Sequence, residues 1–277
     1  MNLPGIGVLV GGLWVANLYY WGFNQYIIQR TLAAKSLKES QRGIIFAAFL
    51  KMIIPLIVVI PGIITYVMFF QPEGTAMIDG VQDAFTKADG GMNYDKAYPW
   101  LIGTFVPAGL KGLVVAALAA AIVSSLASMV NSTSTIFTMD IYKPYLAKKD
   151  GQDHDVKVGS LSGAIALMIA IFVAPLLGNI EQAFQYIQEY TGLVSPGVLA
   201  VFLLGLFYKK TNNKGAIIGI LASIPIALML KSPALELPWM DQMFYTFLMT
   251  LVVIIGVSLS TNPNDDDPTA IKFTNQL

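Results

Sequence analysis

Ala121, Ser124 and Ser125 stand at i, i+3 and i+4 of an apolar stretch, so one helical face offers a backbone carbonyl and two hydroxyls. Neutral oxygens so grouped suit a hard cation such as sodium, provided the carbonyl is partly freed from its own helix ladder. Small residues also let helices pack closely with their hydroxyls bonded back one turn. Spacing alone leaves both readings open for Ser124 and Ser125, and favours packing for the downstream run Asn131-Ser132-Thr133-Ser134-Thr135. A second cluster reads Asn17-Leu18-Tyr19-Tyr20-Trp21-Gly22-Phe23-Asn24-Gln25, with Gly11, Gly12 and Gly22 weakening the helix. A locally unwound helix with free backbone groups suits a polar solute, whereas Tyr19 and Trp21 also fit an interfacial aromatic belt. Lys51 lies about 12 Å inside another apolar stretch. Either it snorkels to the boundary or its ammonium faces an aqueous cavity and donates to a solute. Phe184, Gln185, Tyr186, Gln188 and Glu189 open a further apolar run, with Gln188 about one turn past Phe184.

These residues need helices in lipid to hold them. The chain has 277 residues, of which 55% are hydrophobic and only 12% charged, and its mean hydropathy is +0.63. A soluble domain of this size carries roughly a quarter charged residues, so the solvent for much of this surface is a lipid bilayer. The net charge of zero argues against nucleic acid as a partner. With no cysteine, disulfides, thiolate chemistry and cysteine-held metals are excluded. The single histidine, His154, lies between Asp153 and Asp155 and reads as a solvated loop residue. No His/Cys/carboxylate constellation occurs in the apolar stretches, so no catalytic residue and no enzyme activity are expected.

Spans are predicted at about 4–29, 43–70, 109–138, 158–177, 183–207, 214–230 and 241–260. Lys and Arg collect in alternate loops: Arg30, Lys35, Lys38 and Arg42; then Lys143, Lys148, Lys149 and Lys157; then Lys209, Lys210 and Lys214. The intervening loops are acidic or nearly neutral, the longest carrying Glu73, Asp79, Asp83, Asp89 and Asp95. Short cytoplasmic loops retain positive charge, so the N-terminus is expected outside and the acidic tail inside. Pro99, Pro107 and Gly109 predict a short re-entrant or interfacial helix before the third span. Met1-Asn2-Leu3-Pro4 shows no basic segment and no cleavage site, and reads as an internal start rather than a signal peptide.

Together these residues resemble the sodium/solute symporter family, in particular its sugar-transporting branch and the bacterial sodium/galactose members. Tyr20-Trp21-Gly22-Phe23-Asn24-Gln25-Tyr26-Ile27-Ile28-Gln29-Arg30 is similar to that branch's aromatic–Trp–small–x–Asn/Asp–Gln…Gln–Arg motif. Ala119-Ala120-Ala121-Ile122-Val123-Ser124-Ser125, then Asn131 to Thr135 and Asp140-Ile141-Tyr142, resembles the family's sodium-site helix. Gly205-Leu206 to Lys210 and Gly215-Ala216 to Gly219 follows a further signature, departing where Ser223 replaces a usual glycine.

The resemblance implies an all-α, polytopic, leucine-transporter-like fold of inverted repeats. Residues 1–207 would form the second five-helix repeat, 208–262 two peripheral helices, and 263–277 a cytoplasmic tail, with the N-terminal helices of the first repeat missing. It implies sodium-coupled symport of a galactose- or glucose-like hexose across a bacterial inner membrane, with no organic cofactor. Asn17, Lys51 and Gln188 would contact sugar hydroxyls, and Tyr20 would stack on the pyranose. Tyr19, Trp21 and Phe184 would serve as gates, and Ala121, Ser124 and Ser125 would ligate sodium. A proline or inositol symporter of the same fold, or less directly a channel or sensor, is the rival reading.

Overall fold

The computed structural model describes residues 7–70, 80–87, 90, 93–147, 152–177, 183–232 and 235–261. The acidic tail, the segment 71–79 and the loop around Lys148 and Lys149 lie outside them, as does Glu181.

Six helices among the described residues are long and apolar enough to cross a membrane: Leu37–Phe69, Ala108–Tyr145, His154–Leu176, Tyr186–Phe207, Asn213–Leu230 and Trp239–Ser260. They match the second to seventh predicted spans. The first stretch differs from a single span over 4–29, being three short helices, α1 (Gly7–Val10), α2 (Gly12–Gly22) and α3 (Gln25–Leu32). Gly11 leaves helical geometry at φ −130° and ψ −113°. Gly12 then packs so tightly that a Cβ there would overlap the Met240 backbone. At the second break the α2 cap Phe23 takes φ −134°, and Asn24 caps the next helix, its Oδ1 accepting from the Tyr26 N–H at 3.3 Å.

The second span is also interrupted. Its halves are α4 (Leu37–Lys51) and α5 (Ile54–Phe69). Ser36 opens α4 by accepting from the Glu39 N–H at 3.3 Å, a Ser-x-x-Glu start. Pro55 stands at the beginning of α5. Lacking an N–H, it leaves the Lys51 carbonyl without its i+4 donor, and its ring crowds that carbonyl. The break therefore falls at Lys51. The expected helix before the third span is present: after the short α6 (Val81–Phe85) comes α7 (Ala97–Phe105). Trp100 packs edge-on against the buried Phe85 at 5.0 Å, beside Met68 and Phe69 at the end of α5.

The third span begins as α8 (Ala108–Ile136), loosens into a π-helical turn at Phe137–Tyr142 and ends in α9 (Lys143–Tyr145). The fourth, fifth, sixth and seventh are α10 (Gln152–Leu177), α11 (Ala183–Phe207), α12 (Asn213–Leu230) and α13 (Trp239–Ser260). His154 sits in the first turn of α10 rather than in a loop, and its Nε2 is 2.7 Å from the Tyr142 hydroxyl. Beside it Lys143 pairs with Asp155 at 3.5 Å.

Two compact units emerge, Met1–Ile28 with Ala183–Leu277, and Gln29–Gln182. In the first, glycines receive partner side chains: a Cβ on Gly219 would strike Ile254, one on Gly215 Ser258, and one on Gly197 Ser223. Gly197 thus makes the room that Ser223 requires. Asn212 caps α12 through the Gly215 N–H at 2.8 Å, while its amide donates to the Ser258 carbonyl at 3.2 Å. In the second unit, Ser134 donates to the Gly159 carbonyl at 2.6 Å. Gly163 lets Val130 approach to within 3.0 Å of where its Cβ would be. Small-residue seams of this kind hold membrane helices together without a hydrophobic driving force.

Candidate functional site

The second unit carries Ala121, Ser124 and Ser125 in the middle of α8, and all three are exposed. Their neighbours use their hydroxyls on the preceding turn: Ser128 donates to the Ser124 carbonyl at 3.0 Å, Thr133 to Met129 at 2.9 Å and Thr135 to Asn131 at 2.8 Å. These bonds meet the packing expectation for the downstream run. Ser124 and Ser125 depart from it, for among the described residues neither of their hydroxyls makes a hydrogen bond. One face of the helix thus keeps two hydroxyls with their lone pairs available one turn after the Ala121 carbonyl. Carbonyls and hydroxyls are ligands that hard cations accept.

Lys51, in the same unit, closes α4 at the Pro55 break and is exposed. The break puts a lysine at a helix end near the middle of a 33-residue apolar span. Non-helical backbone at membrane depth belongs where it lines a cavity or is covered by protein.

In the first unit Tyr20 occupies the last turn of α2, just before the second break. Its hydroxyl meets that of Tyr26, and its ring meets Trp21 edge-on at 5.2 Å and Tyr26 at 5.8 Å. Three aromatic rings thereby brace one another across the interruption, leaving Tyr20 half-buried and Trp21 45% exposed. Asn17 is exposed, and its amide donates back to the Leu13 carbonyl at 2.9 Å, which leaves its Oδ1 to accept. Tyr19 is half-buried one residue before the platform.

Helix α11 packs against α2, with Phe23 stacked on Phe202 at 4.8 Å. Gly12, which opens α2, lies against Met240, and Gly192, in the first half of α11, lies against Met243, so the two helices run parallel. Counted back from the phenylalanine stack at 1.5 Å per residue, Asn17 lies about 9 Å and Gln188 about 21 Å toward those starts. Gln188, half-buried, therefore stands about 12 Å beyond Asn17 along the helix axes and is not in hydrogen-bond contact with it. The Phe184 side chain lies outside the described residues. At the same end of this unit Lys231 pairs with Glu189 at 3.7 Å and lies over the Tyr190 ring at 4.6 Å.

Four residues received no site role from type and spacing, although Gln29, Arg30 and Asn131 stand within the family-like motifs. Gln29 donates to the Ser128 carbonyl at 3.0 Å, Asn131 donates to the Gln29 Oε1 at 3.0 Å, and the Arg30 guanidinium donates to the Ser128 hydroxyl. The available signal was an amide and a guanidinium placed in the turn right after a helix break, where capping does not require them.

The sequence profile of the Sodium:solute symporter family matches residues 1–223. A sodium/glucose cotransporter of Vibrio parahaemolyticus is 64% identical over 277 residues, covering 100% of this chain and 50% of its own length. The human sodium/myo-inositol cotransporter 2 is 36% identical over 229 residues, 82% of this chain and 33% of that protein. Among solved structures, a substrate-bound, outward-open Na+-coupled sialic acid symporter superposes with a TM-score of 0.75 at 26% identity, over 91% of this chain and 49% of that one. The chain thus spans at most about half the length of these relatives. The broken first helix, the six apolar spans and this likeness agree on a leucine-transporter-like, multi-pass membrane fold. With most of its length matched by the profile, the chain belongs to the sodium:solute symporter family.

Proposed function

We propose that this protein works in sodium-coupled secondary active symport of a hexose, galactose or glucose, by alternating access. The observation that carries the reading is the contrast along α8: Ser128, Thr133 and Thr135 bond back to their own helix while Ser124 and Ser125 do not. Hydroxyls left available at membrane depth need a ligand, since unsatisfied polar groups there are costly. The Ala121 carbonyl with the Ser124 and Ser125 hydroxyls supplies a neutral oxygen face for sodium. The remaining ligands come from other helices, in keeping with the exposure of this face.

Asn17, Lys51 and Gln188 act on sugar hydroxyls. Tyr20 is the ring on which the apolar face of the pyranose rests, with Tyr19 and Trp21 beside it and Phe184 as a gate at the opposite end. Amides and an ammonium around an aromatic platform suit a neutral polyol, whereas an ionised substrate calls for a countercharge or a bare helix N-terminus. Names of the relatives support this class, being a glucose and a myo-inositol cotransporter. The latter makes inositol a second reading, since it offers the same ring of hydroxyls.

The alternating loop charges support an orientation with Met1 outside and the tail in the cytoplasm, and the likeness to a Vibrio protein supports a bacterial inner membrane. The second inverted repeat over 1–207, two peripheral helices over 208–262 and a tail over 263–277 fit that topology. Sodium entering from outside favours the outward-facing state, and its downhill return drives the sugar in. One charge crossing 100 mV supplies about 2.3 kcal/mol, equal to roughly fifty-fold accumulation.

The test is uptake of labelled galactose, glucose, myo-inositol and proline into proteoliposomes. The chain is reconstituted alone and grafted over the matched half of the Vibrio relative, with sodium or potassium outside. Sodium-dependent, concentrative uptake of a hexose by the graft is expected. Equal uptake in both salts would sink sodium coupling, and preference for inositol would select the second reading.

A further inference from the structure

Ser128 is the meeting point of two hydrogen-bond chains. Its hydroxyl accepts from the Arg30 guanidinium and donates to the Ser124 carbonyl at 3.0 Å. Its carbonyl accepts from the Gln29 amide at 3.0 Å, and the other end of that amide accepts from Asn131 at 3.0 Å. Gln29 is thus fixed at both ends, once to the α8 backbone and once to an α8 side chain one turn along. Arg30 sends a charge-assisted bond into the turn that bears Ser124 and Ser125, and such bonds are about twice as strong as neutral ones. Packing alone does not require this arrangement, because a leucine or methionine would fill the same space without engaging a helix carbonyl.

We propose that Gln29, Arg30, Ser128 and Asn131 form a positioning clamp that holds the Ser124–Ser125 turn of α8 in its cation-binding setting. The inference rests on the assignment of sodium to Ala121, Ser124 and Ser125. It adds the residues that hold that turn, and its effect on sugar affinity is read only through sodium. None of the four touches either ligand. Their contribution is a coupling free energy, so by linkage sodium tightens sugar binding by the same factor as sugar tightens sodium binding.

The experiment measures galactose affinity by titration calorimetry on the purified graft in the Vibrio frame, in sodium and in potassium. The wild-type ratio of the two affinities is expected to fall in the usual range for coupled sites, about 5–150. Ser128→Ala, which removes both the acceptor for Arg30 and the donor to Ser124, should bring that ratio down to about 2 or less. Affinity in potassium should stay at the wild-type level. Ser128→Thr keeps the hydroxyl and should restore the ratio. Arg30→Lys keeps the charge but loses the planar fork, and should reduce the ratio in a protein that still runs as a single species on size exclusion. If Ser128→Ala does not fold, Arg30→Lys and Asn131→Ala carry the same comparison. A ratio unchanged in these variants would overturn the clamp. So would a fall in potassium affinity equal to the fall in sodium, which marks a merely structural role. A wild-type ratio near one would instead overturn the sodium assignment itself, an outcome that does not depend on the clamp variants.

Discussion

Replacing Ser125 by alanine removes one of two hydroxyls that α8 leaves available, whereas Thr133→Ala removes one already bonded to its own helix. Half-saturating sodium for uptake should rise by about tenfold or more in the first, the loss of one hydrogen-bond-sized interaction of ~1.4 kcal/mol. In the second it should barely move. Tyr20 offers a similar contrast. Tyr20→Phe keeps the ring and loses the contact with Tyr26, so sugar affinity in sodium should fall modestly. Tyr20→Ala removes the platform and should abolish selectivity among hexoses, as competition uptake would report. Residue types and spacing pointed to both sites, because amides, hydroxyls and a lysine stand out in an apolar chain. They favoured packing for the hydroxyls of the run from Asn131 but left both readings open for Ser124 and Ser125. All are helical Ser or Thr, and which of them bonds back is settled by neighbouring side chains rather than by local sequence. Gln29 and Arg30 stood in the family-like motif, but their role was not legible because their partners are Ser128 and Asn131, roughly a hundred residues away.

At the level of elements, periodicity and loop charge located six of the spans closely, since a run of apolar residues long enough to cross lipid has few alternatives. The breaks were less legible. Glycines hinted at the interruption of the first helix, but its position depends on the α13 backbone at Met240, which only Gly12 can admit. Gly12→Ala should therefore cost about 2 kcal/mol by overpacking, lowering the thermal midpoint of the purified protein. Gly22→Ala has open space around it and should be neutral or stabilising by up to about 1 kcal/mol, the usual gain of alanine over glycine in a helix. Equal losses in both would show that helix propensity, not the close approach to α13, sets the first break. The Pro55 break was readable in principle, yet a long hydrophobic run masks it. The consequence, a lysine at a helix end inside an apolar span, emerges only when the helix is seen to stop there.

For the whole molecule, the absence of cysteine makes a direct orientation test possible. Single cysteines at Lys38 and at Asp83 should be labelled from opposite sides of sealed vesicles by an impermeant maleimide, Lys38 from the cytoplasmic side. Labelling of both from one side would overturn the proposed topology. A different consequence follows from the unequal spans. Leu37–Phe69 has 33 residues, Ala108–Tyr145 has 38 and Asn213–Leu230 only 18. At 1.5 Å per residue these are about 50, 57 and 27 Å long, against a hydrocarbon core of about 30 Å. No single bilayer thickness matches all three. The shortest helix fits upright or pulls the lipid thinner, while the long ones lean, bend at Pro55 or the π turn, or stand clear of the headgroups. Acyl-chain length thereby becomes a mechanical input to the protein: a thicker membrane favours the upright posture of the long helices and strains the short one, and a thinner membrane does the reverse.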